Sequence, residues 1–308
     1  MPGPGERERR DSGCRSNAVK PGEWPYGAPT PIQAVTTPAA RTILICSGKG
    51  GVGKTTLTAN LGIALAKLGR TVAVLDADFG LRNLDLLLGL ENRIVYTAQD
   101  VLAETCRLEQ ALVKHKQVPT LSLLPAGNPR MLEWLTPEDM RRITGLLSER
   151  SDYVLIDAPA GVEKGFSNAA AAASEAIVVT NPEVSAVRDA DRVIGLLATM
   201  NVKPVQLVLN RVRPRMMANQ EMLSVDEVSD LLALPLLGLV VEDEQVIVST
   251  NRGEPLTLSD KPSAAGKAYR NIARRLTGED VPLTDPTRER QGLRARLLNK
   301  LRNTTGLF

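Results

Sequence analysis

The sequence predicts an α/β protein with a doubly wound, mostly parallel sheet that carries helices on both faces. Short apolar runs alternate along the chain with longer segments of helical periodicity. Several of these runs are continuous rather than alternating, which is typical of strands covered on both faces. A glycine-rich loop lies between the first predicted strand and the first predicted helix. In such sheets ligands bind at the carboxyl ends of the strands, so the loop is in the expected place for a binding site.

The apolar runs give the individual elements. Strands are predicted at Thr42–Cys46, Thr71–Leu75, Leu121–Leu124, Tyr153–Ile156, Ala176–Thr180, Val205–Leu209 and Leu236–Val240. Helices are predicted at Thr55–Leu68, Pro137–Glu149, Ser185–Met200, Ser224–Leu232 and Ala264–Leu276. Thr136 and Asp139 resemble a capping box for the second helix, and Ser185 is predicted to begin the third.

Composition divides the 308 residues into three segments. Residues 1–40 hold seven prolines and five glycines without periodicity, which predicts a disordered extension. Residues 41–280 contain all the predicted strands and the five helices given above, and they form the expected domain. Residues 281–308 begin with a linker and end in a basic tail. After residue 287 this tail contains six basic side chains and one acidic side chain.

The glycine-rich loop has the pattern of a phosphate-binding loop, with a second lysine inside it. It reads Gly48-Lys49-Gly50-Gly51-Val52-Gly53-Lys54-Thr55. Glycines allow successive backbone N–H groups to face a phosphate, and the following helix presents its positive N-terminal end. In this pattern Lys54 reaches the β- and γ-phosphates and the Thr55 hydroxyl binds Mg²⁺. The alternative is a glycine-rich turn without a ligand, but the strand before it and the helix after it favour nucleotide binding.

Three carboxylates follow predicted strands. Asp76 and Asp78 close the second strand, and Asp157 closes the fourth. An aspartate at the end of a strand beside a phosphate-binding loop can hold Mg²⁺ through water, and Asp157 is the best candidate. Asp76 and Asp78 are two residues apart and are predicted to point to the same side, so one could order the metal's waters and the other the attacking water. The alternative is that these acids only form turns and helix caps.

Other site chemistries have little support. The three cysteines share no C-x-x-C spacing, so the sequence indicates neither a zinc site nor an iron–sulfur cluster. His115 is the single histidine, and we interpret it as a surface or half-buried residue. No apolar run approaches the roughly 20 residues that a transmembrane helix needs.

The C-terminal tail has an amphipathic pattern. Its large apolar residues are Leu293, Leu297, Leu298, Leu301 and Phe308, and basic residues fill other positions. A helix of this kind can lie in a bilayer interface with its apolar side chains down and its cations near anionic headgroups. The alternative is a solvated helix that packs its leucines on the body of the protein.

Several motifs together resemble the ParA/MinD family of P-loop ATPases, which have a deviant Walker A loop. The loop motif is Lys49-Gly50-Gly51-Val52-Gly53-Lys54-Thr55-Thr56. Four further motifs resemble the branch of that family that places the division site of bacteria and plastids, and they are Phe79–Asp85, Asp157–Gly161, Thr180–Glu183 and Val187–Arg192. The resemblance extends from about Arg41 to the C-terminus. One departure is Val241, which stands where many relatives have proline.

The resemblance implies roles for these residues in Mg²⁺-dependent ATP hydrolysis. Lys54 and Thr55 would bind phosphates and Mg²⁺ within one subunit, and Lys49 would cross a homodimer interface to the partner's phosphates. Asp78 would position the hydrolytic water, while Asp76 and Asp157 act on the metal shell. Asn210 would contact adenine.

The resemblance also implies partners and a location. An ATP-bound homodimer would recruit a MinC-like septum inhibitor and a MinE-like activator of hydrolysis. The candidate contact is on the outer face of the third predicted helix, at Arg188, Asp189 and Asp191. Such a protein is cytoplasmic and peripheral on the inner face of the cell membrane, or occurs in the plastid stroma and on the inner envelope. The tail would bind the anionic membrane surface.

Three other functions remain to be weighed against this one. A ParA-type partition ATPase would coat DNA and needs a basic dimer body, whereas here the basic charge is concentrated in the tail, so we expect no nucleic acid. An electron-transfer ATPase resembling the nitrogenase iron protein needs cysteine ligands, and Cys46 and Cys106 lack a suitable pattern. A scaffold without ATPase activity is disfavoured because the acids for hydrolysis are present.

Overall fold

The computed structural model describes residues 40–79, 82–128 and 135–283 of the chain. An eight-stranded sheet with the order β3-β4-β2-β5-β1-β6-β7-β8 forms its centre. The strands are β1 (Arg41–Cys46), β2 (Val72–Asp76), β3 (Val113–Lys114), β4 (Leu121–Leu124), β5 (Tyr153–Asp157), β6 (Glu175–Thr180), β7 (Val205–Val212) and β8 (Leu236–Val241). All neighbours pair in parallel except β3 and β4, which are antiparallel.

Helices connect the strands. Within the described residues they are α1 (Lys54–Lys67), α2 (Leu84–Leu87), α3 (Ala98–Leu102), α4 (Leu108–Ala111), α5 (Pro137–Ser148), α6 (Lys164–Ala170), α7 (Val184–Thr199), α8 (Pro214–Ala218), α9 (Val225–Leu232), α10 (Glu244–Asn251) and α11 (Ala264–Leu276). Short 3-10 helices occupy Glu91–Arg93 and Leu256–Leu258. None of the helices in this part of the chain has the length and apolar character needed to cross a bilayer.

The hydrophobic core has two halves, one on each face of the sheet. One half joins the sheet to α1 and α11, for example through Leu61 and Tyr269. The other joins it to α5, α6, α7 and α9, for example through Phe166 and Val193. Buried residues on alternate sides of the same strands supply both halves, as in Ile43 and Leu44 of β1. The predicted doubly wound sheet with helices on both faces is therefore confirmed.

The predicted elements agree with the structure to within a few residues, and α11 has the predicted bounds. The capping box before α5 is also present, because the Thr136 hydroxyl accepts a hydrogen bond from the Asp139 N–H and the Asp139 carboxylate accepts one from the Thr136 N–H. The sequence did not predict the two-residue β3 or the short helices α2, α3, α4, α6, α8 and α10.

Two predictions about single residues are wrong. Ser185 does not begin the third predicted helix, since α7 starts at Val184 after Glu183, which makes no side-chain cap. His115 is neither exposed nor half-buried but only 4% exposed. Its Nδ1 accepts hydrogen bonds from the backbone N–H groups of Gln117 and Val118, so the ring closes a turn. Burial lowers the pKa of His115, and nearby Lys116 and Arg93 lower it further.

The predicted disorder of residues 1–40 and the predicted helix near the C-terminus lie outside the described residues, apart from residue 40. The same holds for the membrane-contact candidates Leu293, Leu297, Leu298, Leu301 and Phe308. The proposed limits of the domain therefore remain predictions.

Candidate nucleotide-binding site

The glycine-rich loop connects the end of β1 to the start of α1. Gly51 and Gly53 have φ angles of 75° and 103°, in the left-handed region that glycine adopts without steric cost. Gly53 caps α1, whose first residue is Lys54. The first backbone N–H groups of α1 therefore face the cleft in front of the loop, where a helix N-terminus favours an anion.

Gly48 brings the loop into contact with α7. A Cβ atom at this position would collide with the backbone carbonyl group and the Cβ of Asp189. Only a residue without a side chain allows this approach. The loop and α7 are thus packed against each other without a space between them.

An open cleft of about 650 Å³ lies in front of the loop. Residues from the loop and from the start of α1 form one wall, and they are Gly50, Gly51, Gly53, Lys54, Thr55 and Thr56. Asp78, the segment around α2 and the segment Thr250–Gly253 form the others. The predicted phosphate-binding residues therefore surround one cleft, with the exception of Gly48, Lys49 and Val52, which are not among its lining residues.

Lys54 is 7% exposed although it is a lysine. Burial lowers its pKa, and the nearby carboxylates of Asp157 and Asp78 oppose that shift. A buried ammonium group that faces a cleft has lost part of its hydration and interacts strongly with an anion placed there. Lys54 thus has the surroundings that its predicted role in phosphate binding requires.

Asp76 and Asp157 lie side by side at the ends of neighbouring strands. They are partners in the register of β2 and β5, and each is 1% exposed. Burial raises the pKa of Asp76 well above its usual value, and Asp157 adds to the shift. Burial also raises the pKa of Asp157, to about 6, although hydrogen bonds from Thr55 and Thr58 and the charge of Lys54 oppose the rise. Two crowded carboxylates at one point favour the binding of a cation.

One carboxylate oxygen of Asp157 has no hydrogen-bond partner among the described residues. Asp157 Oδ1 accepts a hydrogen bond from the Thr58 hydroxyl at 3.1 Å, but Oδ2 is buried without a hydrogen bond among the described residues. Native structures rarely leave a buried carboxylate oxygen unsatisfied. Together with the Thr55 hydroxyl the carboxylates fit Mg²⁺, which binds one or two protein carboxylates and completes its shell with water and phosphate oxygens. No group of three His, Cys, Asp or Glu side chains in the described segments is arranged to hold a metal ion without such help.

Asp78 lies beyond the end of β2 and lines the cleft. Its backbone N–H donates a hydrogen bond to Asp76 Oδ1 at 3.0 Å. This hydrogen bond holds the Asp76 carboxylate in place, and Asp78 itself is among the residues that line the cleft.

A second cavity of about 490 Å³ adjoins the first, and both are lined by Gly53 and Thr56. Its lining includes Asn210, Val241, Asp243 and Tyr269. The Asn210 amide is buried and donates a hydrogen bond to the Val52 carbonyl oxygen at 2.7 Å, which ties the end of β7 to the glycine-rich loop. Asp243 caps α10 and also accepts a hydrogen bond from the Ser263 hydroxyl at 2.7 Å. Val241 is the last residue of β8 and lies opposite Val212 of β7.

Lys49 points away from its own cleft. Its side chain is 46% exposed and its Nζ lies 3.7 Å from the Glu183 carboxylate and 3.4 Å from the Ser185 hydroxyl. Glu183 directly precedes α7, and Ser185 lies in its first turn. An exposed ion pair of this kind contributes little stability, so the lysine can leave it at low cost.

The candidate partner-binding residues lie on α7, whose Ala186, Val187 and Ala190 are buried. Arg188 and Asp191 are exposed, whereas Asp189 is half-buried beside Gly48 and lies 3.7 Å from Arg192. The outer face predicted for this segment therefore includes Arg188 and Asp191 but only part of Asp189.

Sequence reasoning missed two residues of the site. Thr58 hydrogen-bonds Asp157 from the interior of α1, and Arg211 lines both cavities. Thr58 lies one helical turn after Lys54, and that spacing is visible in the sequence once the helix is placed. Nothing in the sequence distinguishes Arg211, which lies near the end of β7, from the arginines that follow that strand.

Comparison with known proteins gives consistent results. Residues 39–277 match the family model described as "ParA: NUBPL iron-transfer P-loop NTPase". Over 245 residues the chain is 56% identical to the septum site-determining protein MinD of Synechocystis sp., which covers 80% of this chain and 92% of that protein.

Two solved structures are similar as well. The MinC:MinD cell division protein complex of Aquifex aeolicus matches with a TM-score of 0.75 and 48% identity, over 80% of this chain and 99% of that chain. The septum site-determining protein MinD complexed with Mg-ADP from Pyrococcus horikoshii matches with a TM-score of 0.69 and 31% identity, over 77% and 96% of the two chains.

Proposed function

Because this chain belongs to the MinD family of ParA-type P-loop ATPases, we propose that it is an ATP-driven switch that forms a homodimer, associates with an anionic membrane surface and recruits division proteins. Hydrolysis of ATP to ADP and phosphate would return it to the monomeric state. The cell or plastid division site would be placed by this cycle.

The position of Lys49 is the observation that supports dimerisation most directly. This lysine is exposed and does not line the cleft of its own subunit, although it belongs to the phosphate-binding motif. A lysine in that motif has an obvious ligand in phosphate, so an outward-facing one is suited to the phosphates of a second copy. ATP would then be bound by Lys54 of one subunit and by Lys49 of the other.

The remaining site residues have roles in the chemistry of one subunit. Bound Mg²⁺ would neutralise charge on the phosphates, and Thr55, Asp76 and Asp157 would hold it, the carboxylates acting through its waters. Lys54 and the backbone N–H groups of Gly50–Thr56 would bind the phosphates, with Gly48 setting the position of the loop. Asp78 would orient the attacking water, and Asn210 would contact adenine.

The proposed membrane contact follows from avidity. Five apolar tail side chains contribute at most roughly 1.5–3 kcal/mol each, and ordering the helix consumes much of that gain. A single tail would therefore bind in the millimolar to micromolar range. Two tails on one dimer can increase the avidity by roughly 10² to 10⁴, so dimerisation would control membrane association.

The proposed partners are a MinC-like inhibitor and a MinE-like activator. The similarity to a chain of the Aquifex aeolicus MinC:MinD complex supports the first of these. Arg188, Asp189 and Asp191 on α7 are the candidate contact. They adjoin Glu183 and Ser185, which hold Lys49, so a change at the dimer interface would be felt at the partner surface.

The dimer can be tested by light scattering after size-exclusion chromatography with Mg-ATP, Mg-ADP and a non-hydrolysable ATP analogue. We expect the wild type to be dimeric with the analogue and monomeric with ADP. Lys49→Ala should bind nucleotide but stay monomeric, because it lacks the contact to the partner's phosphates. Asp78→Ala should remain dimeric with ATP, because hydrolysis is slowed.

Two controls separate the roles of the lysines. Lys54→Ala should lose nucleotide binding itself, and Lys267→Ala, which removes an exposed lysine of α11, should behave as the wild type. A wild-type protein that stays monomeric with the analogue and Mg²⁺ would refute the proposal.

A further inference from the structure

Arg211 has an unusual backbone conformation beside the nucleotide cleft. Its φ angle is 53°, in the left-handed region that a residue with a Cβ enters at a cost of roughly 1–2 kcal/mol. The register of β7 against β8 shows why. Leu209 pairs with Leu239 and Val212 pairs with Val241, so β7 has one more residue than β8 between these pairs. Asn210 and Arg211 thus form a β-bulge, a feature that is common next to active sites.

The bulge changes the direction of the chain in a specific way. In a regular strand, successive side chains point to opposite faces of the sheet. Here Asn210 and Arg211 are consecutive, yet both line the cavity assigned to the base. The left-handed conformation of Arg211 therefore lets two consecutive residues line the same cavity.

Arg211 lies where the two cavities meet. Gly53, Thr56 and Arg211 are the residues that line both the phosphate cleft and the base cavity. Tyr269 and Glu242 line the same cavity as Arg211, and the positive charge of Arg211 acts to lower the pKa of both groups. It is exposed and makes no ion pair within 4.0 Å in the described part of the chain. Its charge is thus available for a ligand at this junction.

We propose that Arg211 binds the middle of the nucleotide, at the ribose and the α-phosphate. This inference rests on the proposed function, because it takes the loop as the site of the β- and γ-phosphates and the second cavity as the site of adenine. The part of ATP that joins those two ends must cross the junction. Guanidinium groups bind phosphate oxygens through paired, charge-assisted hydrogen bonds, which are stronger than neutral ones.

The position makes a specific prediction about nucleotides. The ribose and the α-phosphate are common to ATP and ADP, so Arg211→Ala should weaken binding of Mg-ATP and Mg-ADP by the same factor, about tenfold. The ratio of the two affinities should stay within twofold of the wild type. Titration calorimetry with each nucleotide measures both affinities.

Two further variants separate ligand binding from backbone strain. Arg211→Gly relieves the left-handed conformation, so it should unfold at the same or a higher temperature than the wild type and still lose about tenfold in affinity. Arg211→Lys keeps the charge but not the paired geometry, and it should lie between wild type and Arg211→Ala. A residue that only supports the fold would not give higher stability together with weaker binding.

The control is Arg215→Ala, which removes an exposed arginine of α8 that lines neither cavity. It should bind both nucleotides as the wild type does. Unchanged affinity in Arg211→Ala or Arg211→Gly would overturn the inference, and so would a loss confined to Mg-ATP, which would indicate a terminal phosphate contact. Failure of the wild type itself to bind Mg-ATP would instead refute the proposed function and with it this inference.

Discussion

At the scale of single residues, the strictest steric requirement in the site is at Gly48. An added Cβ would overlap the backbone carbonyl carbon and oxygen of Asp189, and backbone atoms inside a helix cannot move away as a flexible side chain can. The close contact between the glycine-rich loop and α7 therefore requires a residue without a side chain at position 48.

Gly48→Ala should therefore destabilise the nucleotide-free protein by about 1–3 kcal/mol, the usual cost of overpacking. Equilibrium unfolding in urea measures this change. The matched control is Gly50→Ala in the same loop, where a Cβ would be 3.8 Å from the Ala160 Cβ and clash with nothing. Equal stabilities of the two variants would contradict the steric argument.

Predictability differs among the site residues for physical reasons. The positions of Asp76 and Asp157 could be predicted because each ends a recognisable strand, and that of Lys54 because it follows the glycine-rich loop at the start of a helix. The conformation of Arg211 could not, because a bulge depends on how two strands of unequal length pair. The exposure of His115 was predicted wrongly. Its ring accepts hydrogen bonds from two backbone N–H groups of a turn, and no pattern in the sequence indicates that turn.

At the scale of elements, α7 combines the properties that a partner helix needs. One side is buried in the core through Ala186, Ala190 and Val193, and the other presents Arg188 and Asp191 to solvent. Its first turn also carries Ser185, which contacts Lys49. The same helix therefore contacts Lys49 at its first turn and presents charged side chains to solvent further along.

Asp191→Ala should weaken binding of the MinC-like partner by about fivefold or more, while basal ATP hydrolysis stays within twofold of the wild type. The reason is that Asp191 is exposed on α7 and is not among the residues that line either nucleotide cavity. Asp189→Ala should weaken partner binding in the same direction, since it lies on the same helix. Biolayer interferometry with the ATP-bound dimer measures the affinity.

Glu138→Ala is the control for this experiment, because it removes an exposed carboxylate from α5. It should not alter partner binding. If Asp191→Ala and Asp189→Ala both bind the partner with wild-type affinity, the partner surface is elsewhere.

Elements were predictable where local patterns are long enough. The buried strands are continuous apolar runs, and α11 has a strong periodic pattern with Ser263 as its cap, whose hydroxyl accepts a hydrogen bond from the Gly266 N–H. The helices that were missed include α2 and α4, which have four residues each. One turn cannot display a period of 3.6 residues, and such helices are stabilised by their neighbours rather than by their own sequence.

At the scale of the whole molecule, the proposed switch requires that the C-terminal tails of both subunits bind the membrane at the same time, because each tail alone binds weakly. Leu297→Glu should abolish ATP-dependent binding to anionic vesicles and leave ATP-dependent dimerisation intact. The change removes an apolar side chain and adds a negative charge at an anionic surface, and it does so twice in each dimer. Co-sedimentation with vesicles that contain an anionic phospholipid measures binding.

Gln291→Glu is the matched control, because it adds the same charge outside the apolar positions of the tail. It should retain most of the vesicle binding. Vesicle binding that survives in Leu297→Glu would show that the tail does not act as proposed. Sedimentation of the wild type with DNA but not with vesicles would favour the partition ATPases instead.

The overall architecture could be predicted because it follows from features spread along the chain. Each buried strand alternates its side chains between two apolar layers, and each layer needs its own helices, so a doubly wound sheet is the arrangement that covers both. The antiparallel β3 at the edge could not be predicted, because two residues are too few to show a strand pattern and they are held by distant parts of the chain, through pairing with β4 and a hydrogen bond from Arg93 to the Lys114 carbonyl oxygen.

The contact at Gly48 has a consequence for the timing of the proposed cycle. Densely packed surfaces transmit displacement instead of absorbing it. Any shift of the loop on binding a triphosphate would therefore displace the carbonyl group of Asp189. This residue lies in the middle of the segment proposed to bind the partner. Nucleotide binding would then precede partner recruitment, and the direct contact between the loop and α7 would be enough to couple the nucleotide cleft to the partner surface.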